Sequence, residues 1–152
     1  MRKIILSAFG CFLVLTTIAQ QPQIAVVTAT NSNSFYTSLA TAISLAPAGS
    51  IIYLPGGNFS ESVVVDKQLT IIGVGHNPDS NYVTNPTSIE NITFTNGSNG
   101  AVIDGVSVSQ YIRLDNADGI AILRCHCKGV VQNNNTISKS LSVDRCVMDE
   151  GI

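Results

Sequence analysis

Basic side chains are few in this chain: eight Lys and Arg stand against ten Asp and Glu, a formal net charge of −2. No segment gathers them into a stripe, which excludes the electrostatic footprint of a nucleic-acid binder. Such a surface also repels polyanions unless a cation or a local Arg patch intervenes. Missing too is any apolar run of the roughly 20 residues that a membrane-spanning helix needs. The nearest approach, Ile4 to Leu15, follows Arg2-Lys3 and precedes the small-residue site Thr17-Ile18-Ala19. That is the layout of a secretory signal peptide cleaved after Ala19. Cys11 lies inside the run with no lipobox before it, so lipidation is not expected. The expectation is export to the medium or the cell surface, with residues 1–19 removed and a mature chain that starts near Gln20 and keeps no membrane span. Losing Arg2 and Lys3 leaves six basic against ten acidic side chains, a net charge of −4.

Dense acidic clusters are also absent, and a calcium cage needs roughly six to eight oxygens. No cofactor is evident from the residues. Three cysteines remain after cleavage, Cys125, Cys127 and Cys146, an awkward odd number for an oxidising compartment. Free buried thiols are favoured over a Cys125–Cys146 bridge, whose geometry in parallel register is doubtful. A zinc site is disfavoured further, because His126 should face the other way.

What the chain does contain is short β-branched runs at a fixed spacing, and its length allows one domain. Residues 20–33 form a polar leader whose apolar core, Ile24-Ala25-Val26-Val27, suits a short strand or a segment lying along a cap. From Ser34, a plausible N-cap, Phe35, Leu39, Ala42, Ile43 and Ala46 recur at helical spacing until Pro47 forbids continuation, which predicts a helix at about 35–46. After Pro47-Ala48-Gly49 the period changes. Ile51 to Leu54, Val63 to Val65 and Leu69 to Ile72 read as three short strands with corners at Gly56-Gly57-Asn58 and Asp66-Lys67-Gln68, together one turn of a solenoid. The proline- and asparagine-rich stretch 76–86 reads as a projecting loop.

Further on, Val102 to Val108, Ala121 to Cys127 and Ser142 to Met148 align at offsets of 19 and 21 residues. A period near 20 belongs to solenoids, and short strands with Asn and Gly corners in place of helices select a β-helix over leucine-rich or ankyrin arrays. Equivalent residues would then lie about 4.8 Å apart in columns: Ile103, Ile122 and Val143, headed by Ile71; Val106, Cys125 and Cys146; Val108, Cys127 and Met148. The first two columns are three residues apart, so both face inward only if the chain bends near Gly105, Arg124 and Arg145. The chain stops at Ile152 without a recognisable terminal cap, and the expectation is that residues 34–152 are the N-terminal part of a longer domain whose further turns follow.

Ala42-Ile43, Ala46 and Gly49, then Gly57, Phe59, Glu61 and Val63, then Gly73 and Gly75 resemble the N-terminal cap and first turn of the pectin-lyase-like superfamily. The resemblance implies an all-β fold, a right-handed parallel β-helix with a short N-terminal capping helix. It also implies a connection to polysaccharide, as lyase, glycoside hydrolase, esterase or non-catalytic member. Lyases of this superfamily use an Arg base and acidic Ca²⁺ ligands on such strands, which singles out Arg124 and Arg145 with Asp104 and Asp144 beside them. The bland alternative is a solvated ion-pair ladder of little energetic weight. Pectin methylesterases share the Gly57, Phe59, Glu61, Val63 pattern, but where their Gln-Asp pair would be sought stand Gln132 and Asn133. An amide is no general acid or base. His126 reads as a surface histidine and Glu61 as a capping or pairing group at a corner. Asn133, Asn134 and Asn135 read as a polar corner, and Asn58, Asn91 and Asn96 head sequons that matter only in a eukaryotic secretory pathway. Two functions compete: polysaccharide processing or binding, in which this segment alone is inactive, and a non-catalytic adhesive or spacing module at the cell surface.

Overall fold

The computed structural model of the protein describes residues 23–28, 30–75, 85–133 and 140–151. The expected signal peptide, Cys11, most of the projecting loop, and Asn134 and Asn135 lie outside the described residues. Among the described residues twelve strands and one α-helix follow in chain order. They are β1 (Ile24–Val27), β2 (Asn33–Tyr36), α1 (Leu39–Leu45), β3 (Ile51–Tyr53), β4 (Gly57–Val65), β5 (Thr70–Ile72) and β6 (Thr87–Phe94), then β7 (Val102–Asp104), β8 (Ser107–Leu114), β9 (Ala121–Leu123), β10 (His126–Gln132), β11 (Ser142–Asp144) and β12 (Val147–Gly151). A 3₁₀ turn occupies Asn96–Ser98.

From β3 onward the chain alternates between two sheets. One holds seven strands in the order β11-β9-β7-β5-β3-β1-β2, the other five in the order β12-β10-β8-β6-β4. The five-stranded sheet is parallel throughout. The seven-stranded sheet is mixed, because β1 pairs antiparallel with both β2 and β3.

This corrects the expected right-handed parallel β-helix. Ile51–Tyr53 and Thr70–Ile72, expected as two walls of one solenoid turn, are parallel neighbours within one sheet, with Ile52 opposite Ile71. Each repeat therefore supplies two strands, one per sheet, and the fold is a pair of sheets of which the larger is mixed. The mixing comes from the leader, where Ile24 and Val26 point inward and Ala25, Val26 and Val27 pair with β3. Gly57, expected in a corner, instead opens the long strand β4.

The helix is shorter than its apolar spacing predicts. Asn33–Tyr36 is drawn into the sheet beside β1, which leaves Phe35 63% exposed. Ser38 rather than Ser34 is the N-cap, its hydroxyl accepting from the Thr41 N–H. Glu61, on β4, completes that terminus: its carboxylate accepts from the Leu39 and Ala40 N–H groups and from the Ser38 hydroxyl, at 3.4, 2.9 and 3.3 Å. Orphan N–H groups of a first helical turn are thus satisfied by an anion, which the positive end of the helix favours. Leu39, Ala42 and Ile43 face the core.

The columns expected from the repeat are present. Ile52, Ile71, Ile103, Ile122 and Val143 stand opposite one another through β3, β5, β7, β9 and β11. On the other sheet Phe59, Ile89, Val108, Cys127 and Met148 do the same. Burying such columns is the main favourable term, at roughly 1.5–3 kcal/mol for each large side chain. The bend between the sheets also sits where the spacing required it. Gly105, Arg124 and Arg145 all adopt left-handed backbone, with φ of 65°, 47° and 51°. Gly105 is the unstrained solution to that bend. A Cβ there would also stand 3.1 Å from the Gly73 carbonyl oxygen.

Candidate functional site

The bend that turns β7 into β8, β9 into β10 and β11 into β12 places Arg124 and Arg145 one rung apart on the outside, with Asp104 and Asp144 on the strands leading into it. The structure brings these four residues together and consumes their charges. Arg124 Nε donates to Asp104 Oδ1 at 2.7 Å and its Nη2 to Asp104 Oδ2, a bidentate pair, while Arg145 Nε donates to Asp144 Oδ2 at 2.9 Å. The hydrogen bond to Asp104, and then the charge of that carboxylate, hold the Arg124 guanidinium above its ordinary pKa, the wrong direction for a proton acceptor. Among the described residues no group of three or more His, Cys, Asp or Glu side chains is placed to hold a metal ion.

His126, expected as an isolated surface histidine, has an acid across the strand gap: its Nε2 lies 3.2 Å from Asp149 Oδ1. That neighbour is 23 residues away in sequence and becomes visible only through the pairing of β10 with β12.

A different surface, not singled out by the sequence, lies on the outer face of the five-stranded sheet. Strand β8 alternates Ile112 and Leu114 inward with Tyr111 and Arg113 outward. Tyr111 stands opposite Gly129 of β10. Two cations lie over its ring: Arg113 Cζ is 5.7 Å and Lys128 Nζ 5.9 Å from the ring centroid, within cation–π range. The phenol donates to Glu150 Oε2 at 2.6 Å, and that hydrogen bond raises the Tyr111 pKa. Lys67, Arg124 and Arg145 each have a carboxylate within ion-pair distance, whereas among the described residues Arg113 and Lys128 have none.

Beside Arg113, where β6, β8 and β10 end, opens a groove of about 330 Å³. Exposed Val131 gives it an apolar wall, and Thr93, Asp115, Gln132 and Asn133 line it with hydrogen-bonding groups. Asn133 Nδ2 donates to Asp115 Oδ1 at 3.3 Å. The acid absent next to Gln132 in sequence is therefore present at the same end of the sheet from the preceding rung, though engaged with an amide. What the arrangement offers chemically is fixed positive charge next to mixed donors and acceptors over an apolar wall, a holding geometry.

Comparison with family models, with curated proteins and with solved structures finds no match to this chain.

Proposed function

We propose that the protein is exported to the medium or cell surface and binds polysaccharide along the outer face of the five-stranded sheet, with one acidic sugar unit seated in the groove beside Arg113. The observation that carries this reading is the pair of cations, Arg113 and Lys128, with no carboxylate at ion-pair distance among the described residues, on a chain in which acids outnumber bases. A sugar carboxylate supplies the missing counter-charge. Ring hydroxyls exchange hydrogen bonds with Thr93, Asp115, Gln132 and Asn133, and the apolar face of the ring lies against Val131. The parallel sheet repeats its outward positions at about 4.8 Å, which suits an extended chain better than a compact ligand.

Affinity electrophoresis tests this. In a gel cast with a uronate polymer the protein should be retarded, the retardation should shrink as salt is raised, and a neutral glucan should retard it less. The double variant Arg113→Ala, Lys128→Ala should run as it does without polymer. Equal mobility of the parent protein in all gels overturns the binding reading. The same preparations should release neither unsaturated nor reducing sugars, with or without Ca²⁺. Release that Arg124→Ala or Arg145→Ala abolishes would make the bend patch the active site of a lyase or hydrolase. Absence of both binding and release favours a module that adheres to or spaces other components.

A further inference from the structure

We propose that Cys146 and Cys125 are a redox pair: the partly exposed Cys146 thiol captures a low-molecular-weight disulfide such as glutathione disulfide and passes the bond to Cys125, closing a bridge between the last two described rungs.

The pairing follows from register. Asp144 stands opposite Leu123 and Val147 opposite His126, so Cys146 sits directly over Cys125 at the shared bend. Rungs about 4.8 Å apart bring the two Cα atoms within the span a disulfide accepts. The Cys146 sulfur lies between the rungs: it accepts from the Cys125 N–H at 3.3 Å and lies 3.4 Å from the Ile122 carbonyl oxygen. The Cys125 sulfur now faces the Leu123 carbonyl oxygen at 3.2 Å, and closure turns it towards the rung above by a change of χ1 rotamer. The bend geometry, which interrupts strict strand alternation, is what relaxes the parallel-register objection to such a bridge. Cys127 is excluded by the same register, since the residue opposite it on β12 is Met148.

Exposure fixes the order of events. Cys125 and Cys127 are buried and Cys146 is not. Burial pushes the Cys125 thiol up to about 12 and the Cys127 thiol up to about 11, so neither starts the exchange near neutral pH. The Cys146 thiolate attacks one sulfur of glutathione disulfide, forms the mixed disulfide and releases one glutathione thiolate. The Cys125 sulfur then gives up its proton and attacks the Cys146 sulfur, forming the Cys125–Cys146 bond and expelling the second glutathione. Two cysteines are oxidised, one external disulfide is reduced to two thiols, and the two cysteine protons end on the glutathiones. The bridge staples β11 and β12 to the rung beneath.

The test is native incubation of the chain with glutathione disulfide, acid quench, alkylation in denaturant and peptide mapping by mass spectrometry. The expected product is a linked Cys125–Cys146 peptide pair with Cys127 recovered alkylated, in a protein whose thermal midpoint has risen. Cys127→Ala should bridge as the parent does, and Cys125→Ala should stop at a glutathione adduct on Cys146. Should Cys125→Ala fail to fold by far-UV circular dichroism, Cys146→Ser at the accessible position should show neither adduct nor bridge. A Cys127–Cys146 link, a glutathione adduct on the parent that never resolves, or three freely alkylated thiols would each overturn the proposal, as would a bridge that forms only in denaturant.

Discussion

The Ile52 end of the core column and its Val143 end repeat one strand pattern but are finished differently. At the first, β1 crosses the edge of β3 in antiparallel register, α1 packs Leu39, Ala42 and Ile43 inward, and Ile52 has no exposed surface. At the last described rung, Leu141, Val143, Cys146 and Met148 are only partly buried, although their counterparts one rung earlier, Ile120, Ile122, Cys125 and Cys127, are buried throughout. Position in the repeat therefore does not fix what a residue contributes. The neighbours above and below do, because a side chain in such a stack is covered mainly by its own column.

Trimming the column at both ends turns that difference into numbers, and it is the largest effect expected. Ile52→Ala should cost about 2–5 kcal/mol in urea unfolding, as buried isoleucines do when a cavity is left. Val143→Ala should cost about 1 kcal/mol or less, because solvent and neighbours already share its surface. Equal losses would break the comparison.

The same contrast marks where the sequence was legible. Columns were readable because the repeat survives in Val102 to Met148 with its bend at Gly105, Arg124 and Arg145, and a period of 19 to 21 residues admits little else. Sheet membership was not readable, since a short β-branched run such as Ile51 to Tyr53 carries no mark of whether its partner is the next run or the one after. The leader's strand was readable at Ile24 to Val27, but its partners were not, because four apolar residues among polar ones do not announce antiparallel pairing. At the candidate site, Arg124, Arg145, Asp104 and Asp144 were found by column alignment, but their mutual neutralisation depends on rotamers. Tyr111, Arg113 and Lys128 carry no such mark, because they lie outside the repeated Val102 to Val108 pattern and meet only through the pairing of β8 with β10.

Glu61 separates the two ends next. It ties β4 to the first turn of α1 through two N–H groups and the Ser38 hydroxyl, a closing device with no counterpart among the described residues of the last rung. Glu61→Ala should cost about 1–2 kcal/mol, within the range of a lost cap and charge-assisted hydrogen bonds. Glu61→Gln should recover part of it, because the amide keeps one acceptor and loses the charge. Urea unfolding followed by circular dichroism measures both. A loss as small as that of an exposed glutamate would mean the helix holds by its apolar face alone.

The smallest effect concerns alkaline pH and weighs the buried thiol of the inner rung against its accessible partner. In the fold, burial raises the Cys125 pKa from 9.0 to about 12, so the folded state keeps a proton that the unfolded chain releases. Stability from this group is complete below pH 9 and declines as pH rises towards 12, because in that window the folded state binds more protons than the unfolded one. The slope approaches about 1.4 kcal/mol per pH unit where the unfolded thiol is ionised, which makes the loss about 1 kcal/mol by pH 10. Cys127, raised to about 11, and Tyr111, raised above 10.0, add in the same direction. The informative quantity is therefore the change in stability between pH 8 and pH 10 under reducing conditions, compared between the parent and Cys125→Ala. The variant should lose less over that interval while being less stable at pH 8, having given up a buried side chain. If both proteins lose the same amount, the Cys125 thiol ionises as freely in the fold as in the unfolded chain, and the inner rung is no better shielded than the outer.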